Sequence, residues 1–264
     1  MNNAQSIREN IENEQEDLVE ITYYTDPLCC WSWAFEPQWR RLRFEFAGKI
    51  RWRYRMGGLL PDWNTYNDPL NSVSRPLQMG PLWMEARHIS GMPIKDTVWH
   101  QNPPESSFPA CIAVKCAGLQ SADAAESYLR RCREAVMLHG KNIAKQEVLL
   151  EIADELTKEY PHLLDPRRFR EDWQTGAGKD TFREDLQAVR IHNFGRFPTL
   201  TIQQPGKAGV VIVGYRPYSV LLDAIKQVAP QLEPSQKSPT AEVYRNYWGN
   251  VTERELDEAG ATVS

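Results

Sequence analysis

The sequence predicts an α/β fold in which a βαβ unit and a ββα unit are separated by a large all-helical insertion. Three observations predict it. Strand-like alternation over residues 18–26 and 50–59 flanks a helical repeat, helical periodicity then replaces strand pattern from 61 to 194, and strand pattern returns after 195.

Each element follows from its residues. LVEITYYTD (18–26) is rich in β-branched and aromatic side chains and ends at the Asp26-Pro27 turn signal, so it reads as a strand. In the next stretch Phe35, Trp39, Leu42 and Phe46 recur at three- and four-residue steps up to Gly48, which predicts one helix starting near the cysteines. IRWRYRMGGL (50–59) alternates cleanly and stops at Gly57-Gly58. A crossover of this kind places its two strands parallel in one sheet, with the first turn at the carboxyl end where α/β sheets hold their sites. Helices are expected near 76–90, 107–120, 122–138, 145–159, 165–174 and 179–193. FPTLTIQ and GVVIVG, joined by QPGKA, form a hairpin, and YSVLLDAIKQVA supplies the closing helix. The expected organisation is therefore a polar tail over 1–17, an α/β domain from 18–60 and 195–230, the helical insertion over 61–194, and a linker with two short helices over 231–264. Five acids against Arg8 make the tail a frayed helix or a disordered segment.

Composition narrows the function. A net charge of −4 argues against a phosphate-backbone or anionic-lipid binder, so neither nucleic acid nor membrane is an expected partner. Five cysteines in no regular framework, without a leader-like apolar start, suit a reducing cytoplasmic setting. No cysteine spacing matches a zinc site, and the five histidines are scattered, so no metal is expected. Cys111, Cys116 and Cys132 lie in Ala-rich helices and read as small core fillers, while the run Arg130, Arg131 and Arg133 reads as a solvated helix face.

Cys29 is the chemical candidate. At the start of a helix, free N–H groups and the helix dipole favour its thiolate, which predicts selective modification at neutral pH. The surrounding DPLCCWSWAFEP resembles the active-site segment DPxCxWCWGFxP of the DsbA family, in particular its cytoplasmic FrnE-like branch. SSFPACIAVKCA resembles the helix that opens the insert there, and Phe197-Pro198-Thr199 resembles the cis-proline loop. From the residues alone Pro198 suits a trans proline at a strand start equally well. The resemblance implies a thioredoxin fold of DsbA-like type, catalytic positions at Cys29 and Ser32, and Phe197 and Pro198 beside Cys29. It also implies substrate contacts from Cys30, Trp31, Phe197, Pro198 and Thr199.

The departure from the family lies at Ser32, which stands where the second cysteine belongs. Without that resolving sulfur, Cys29 is expected to form mixed disulfides that an outside thiol releases. A disulfide between the adjacent Cys29 and Cys30 is disfavoured by ring strain. The implied partner is a thiol or disulfide substrate, protein or small molecule, with no tightly bound cofactor and glutathione as candidate cosubstrate. Two further readings stay open. The segment is also similar to kappa-class glutathione transferases and 2-hydroxychromene-2-carboxylate isomerases, which place a catalytic serine in the register of Cys29; a third possibility is a non-enzymatic adaptor, as in the YjbH-like members of the superfamily, which present client proteins to a protease.

Overall fold

The computed structural model describes residues 18–235 and 238–262, so the polar segment 1–17 lies outside the described residues. Strand β1 (Val19–Thr25) turns Val19, Ile21 and Tyr23 into one apolar core by its two-residue period. With β2 (Ile50–Met56), β3 (Thr199–Gln203) and β4 (Val210–Val213) it forms a four-stranded sheet in the order β2-β1-β3-β4. The β3–β4 pair is antiparallel, Thr199 opposite Val213 and Thr201 opposite Val211, as expected of the hairpin.

The helix following the cysteines is broken. It runs as α1 (Cys30–Ala34) and α2 (Glu36–Glu45), where the sequence predicts a single element. Pro37 explains the interruption, because proline has no N–H and its ring crowds the carbonyl four residues earlier, that of Trp33. The insertion then supplies α3 (Met79–Ser90), α4 (Thr97–Gln101), α5 (Phe108–Gly118), α6 (Ala122–Met137), α7 (Gln146–Glu159), α8 (Pro166–Thr175) and α9 (Ala177–Ile191). The five-residue α4 is too short to show a period and was not expected. After the hairpin come α10 (Tyr218–Val228), α11 (Ala241–Trp248) and α12 (Glu253–Ala259).

The chain divides into two compact units. One gathers the described residues up to Tyr23 with Phe35–Tyr54 and everything from Thr199 onward. In it Trp39 and Leu42 of α2, Phe46 at its C-terminal cap, and Leu221, Ala224, Ile225 and Val228 of α10 bury one face of the sheet, and the Trp39 indole donates to the Tyr54 hydroxyl at 2.8 Å. The two C-terminal helices belong to this unit. Arg40 of α2 is buried between Glu36 (3.4 Å) and Glu255 (3.2 Å), its guanidinium 4.9 Å from the Trp248 ring centre. Thr252 and Glu255 close the start of α12 with a reciprocal capping box.

The other unit comprises Tyr24–Ala34 and Arg55–Pro198, joining the cysteine-bearing turn to the helical block. A buried carboxylate, Asp185 on α9, accepts from Arg55 (2.8 Å), Lys115 (2.8 Å) and the Met56 N–H (2.9 Å). Arg130 and Arg133 are buried, which corrects the solvated reading of their run. Arg130 stacks over Trp33 at 4.4 Å and pairs with Glu134, while Arg133, only 1% exposed, donates to the Thr25 hydroxyl. An aromatic face and an acceptor from distant segments meet these two positions, and a helix sequence cannot display that.

Candidate active site at Cys29

The turn that carries Cys29 is built by Asp26. Its carboxylate oxygen Oδ1 accepts the Leu28 N–H at 2.8 Å and its backbone carbonyl accepts the Cys29 N–H at 3.1 Å. This is the self-bonded aspartate turn that an Asp-Pro start favours. The Cys29 carbonyl in turn accepts from the N–H groups of Ser32 and Trp33, both at 3.1 Å, so Cys29 sits at the lip of α1.

The sulfur faces the second expected landmark. Cys29 Sγ donates to the Phe197 carbonyl at 3.4 Å across 168 positions of sequence, and the Phe197-Pro198 peptide bond is cis. The Ser32 N–H donates to the same sulfur at 3.4 Å. Tyr24 and Phe197 pack around Cys29, with Trp31, Leu59 and Phe194 at the margin. Thr199 lies one residue beyond, as the buried first residue of β3. Cys30 is buried and its thiol is pushed far up by burial.

The expected ionised sulfur is not what this geometry favours. Cys29 is 4% exposed, and burial raises its thiol above the ordinary cysteine range. The Ser32 side chain and N–H oppose that shift, Asp26 adds to it, and Arg133 opposes it in turn. A bond from sulfur to a carbonyl needs the proton on the sulfur, so the enclosed site stabilises the neutral thiol. Desolvation outweighs the helix dipole because α1 has only five residues and its start is covered by aromatic side chains.

A second cluster, invisible in the sequence reading, lies around Asp26. Oδ2 accepts the Leu59 N–H at 2.7 Å, the Ser107 hydroxyl at 2.8 Å and the Cys111 thiol at 3.3 Å. The carboxyl is wholly buried, and desolvation raises its pKa despite these bonds. The sequence marks Asp26 as a turn former and Cys111 as a core filler, and the structure adds the bond between them. The available signal was Ser107 and Cys111 four residues apart on one face at the start of α5, directed at a common acceptor. Tyr66 also bears on the site. Its phenol is raised first by burial and then by Asp68, Cys29 and Cys30. Among the described residues no group of three or more His, Cys, Asp or Glu is arranged to hold a metal.

Chemically, the arrangement offers one enclosed thiol with a carbonyl acceptor on one side and Ser32 donors on the other, above a protonatable carboxyl. Known proteins share the frame. A family model described as thioredoxin matches residues 23–223. The ClpXP adapter protein SpxH of Halalkalibacterium halodurans is 26% identical over 221 residues, covering 82% of this chain and 70% of its own length. SpxH of Bacillus subtilis is 25% identical over 242 residues, covering 90% of this chain and 77% of its own. The solved cytosolic disulfide reductase DsbM from Pseudomonas aeruginosa superposes with a TM-score of 0.61 at 20% identity, covering 79% of this chain and 98% of that one. With the cysteine turn and the proline loop inside the matched span, this chain is a member of the thioredoxin family with a DsbA-like fold.

Proposed function

We propose that this chain is a cytoplasmic thiol–disulfide exchange protein in which Cys29 acts alone. The observation that carries the reading is the 3.4 Å approach of Cys29 Sγ to the Phe197 carbonyl, which sets the sulfur beside a backbone edge able to pair with an extended disulfide-bearing substrate. In the first step the Cys29 thiol loses its proton to solvent, and the thiolate attacks one sulfur of a substrate disulfide. The sulfur–sulfur bond breaks, a mixed disulfide forms on Cys29, and the other sulfur leaves as a thiolate. An outside thiol such as glutathione attacks the mixed disulfide in the second step. It takes the substrate sulfur as a new disulfide and returns Cys29 as thiolate.

Within that cycle the Ser32 N–H and hydroxyl act as donors to the sulfur when it is ionised, and Ser32 cannot resolve the mixed disulfide. Trp31 and Phe197 border the substrate. Intact mass spectrometry after exposure to glutathione disulfide tests the reading. A single glutathionyl adduct that disappears in Cys29→Ala is expected. No adduct, or an adduct that persists in Cys29→Ala, rejects it.

A second reading is an adaptor that delivers client proteins to a protease. It is favoured by the relatives named as ClpXP adapters and by the enclosure of Cys29, which slows thiol chemistry without affecting recognition. Its test is a degradation assay with ClpXP and a candidate client. Acceleration that survives Cys29→Ala supports the adaptor, and failure to accelerate with the wild-type chain removes it.

A further inference from the structure

The last strand of the sheet has a free edge. β4 stands at the end of the order β2-β1-β3-β4, with β3 on one side only. Its register with β3 runs without a bulge from Thr199 opposite Val213 to Ile202 opposite Val210. In an antiparallel pair, alternate residues point their N–H and C=O groups toward the neighbour and away from it. Half of the backbone groups of β4 therefore face outward, and among the described residues no hydrogen bond reaches them. The side chains leave this edge equally bare. Val211 is 52% exposed and Val213 39% exposed, while Ile212 points into the core. Proteins ordinarily guard such an edge with a lysine, a proline or a bulge, and β4 carries none of the three. Its one guard is its length of four residues, which limits it to pairing with a segment about as short.

The charges around the edge are of one sign. No Asp or Glu occurs from Thr199 to Leu222, whereas Lys207 lies three positions before the strand and Arg216 three positions after it. Lys207 Nζ donates to Gln204 Oε1 at 2.9 Å, and neither cation has a carboxylate partner among the described residues.

We propose that β4 is a docking edge for an extended segment of another protein, which adds a strand there with aliphatic side chains beside Val211 and Val213 and an acidic residue at each end. The outward backbone groups supply pairing of the kind an added strand needs, and the two valines select what lies next to them on the same face. Charge complementarity then chooses the occupant. A second copy of this chain fits poorly. Antiparallel pairing of two β4 strands about their middle turns Lys207 of each copy toward Arg216 of the other, and parallel pairing sets each cation beside its own counterpart, so both directions oppose like charges. Acids at the two ends of a foreign strand meet both cations instead.

The docking edge rests on neither reading of Cys29, because β4 and its flanks belong to the sheet-bearing unit and the cysteine turn belongs to the other. Titrating a fluorescein-labelled peptide, Glu-Thr-Val-Thr-Val-Thr-Glu, with the full chain tests it by polarisation. Saturable binding is expected, with slower amide hydrogen exchange in β4 when the peptide is added. A peptide with lysine at both ends should bind roughly five-fold more weakly. Val211→Glu with Val213→Glu should weaken binding of the acid-ended peptide several-fold. Lys207→Glu with Arg216→Glu should reverse the preference, so that the lysine-ended peptide binds better. Circular dichroism confirms that each variant is folded, and the charge-swapped variant decides the matter if the valine variant is not. No saturable binding, or binding that either pair of substitutions leaves unchanged, overturns the proposal. A concentration-dependent dimer in light scattering that Val211→Glu with Val213→Glu dissolves overturns it in favour of a second copy of the chain.

Discussion

Gly57→Ala gives a sharp test of how the Cys29 site is packed. Gly57 directly follows β2, and its N–H donates to the Thr25 carbonyl at 2.6 Å. A Cβ placed there would lie 2.1 Å from Phe197 Cζ and 2.4 and 2.5 Å from Cε2 and Cε1. Carbon atoms rest about 3.5–4.0 Å apart, so the Phe197 ring has to retreat by more than about 1 Å. The ring is buried with Tyr24 and Cys29, where inserting a methyl costs ~1–3 kcal/mol. At a urea dependence of about 2–3 kcal/mol per molar, the unfolding midpoint should fall by roughly 0.3–1.5 M. Because the displaced residue supplies the carbonyl that accepts from Cys29 Sγ, iodoacetamide should also label Cys29 faster than in the wild type. Phe197→Leu combined with Gly57→Ala makes room for the methyl, so the double variant should be more stable than the sum of the single effects by ~1 kcal/mol or more. An unchanged midpoint, or strict additivity of the two substitutions, would refute the claim that these residues touch.

Three other outcomes follow from the same site. Ser32→Cys places a resolving sulfur beside Cys29, so disulfide reduction coupled to a dithiol should run faster than in the wild type in an insulin turbidity assay; no gain would mean that the geometry is unsuited to a dithiol cycle. Asp26 binds its proton more tightly in the folded chain than in the unfolded one, because burial raises its pKa above 3.8. Its contribution to stability is therefore fully present below the unfolded carboxyl range and is lost as pH rises through the folded value. Urea midpoints between about pH 4 and about pH 8 should consequently fall with pH more steeply in wild type than in Asp26→Asn, and parallel profiles would contradict the assignment. Arg133→Met removes a cation that favours the Cys29 thiolate, so the pH profile of Cys29 alkylation should move to higher pH, whereas an unmoved profile would assign Arg133 to packing alone.

The sheet and its order of elements were legible because β1, β2 and the hairpin alternate plainly and because Cys29 and Phe197-Pro198 carry distinctive neighbours. Most helices of the insertion were legible by period, while α4, with five residues, had none to show. Pro37 carried the signal for the break between α1 and α2, and the apolar repeat running through it outweighed that signal. The ionisation of Cys29 was not legible. Desolvation there comes from Tyr24, Leu59, Phe194 and Phe197, which the chain gathers from three separate segments. Asp26 illustrates the same limit, since three of its four side-chain donors come from positions 59, 107 and 111.

The lodging of Arg40 against α12 sets a lower bound on how far the protein can be trimmed. Cutting after α10, a few residues beyond the end of the family match at 223, would strip Glu255 and the Trp248 ring from Arg40 and leave it Glu36 alone. The same cut bares Phe44, which packs in a buried cluster with Tyr244, Leu256 and Ala259, and an apolar surface uncovered in that way favours association. Expression trials that stop there should give aggregates, whereas stopping after Thr262 should not. For this chain the smallest foldable piece thus extends beyond the recognisable family segment.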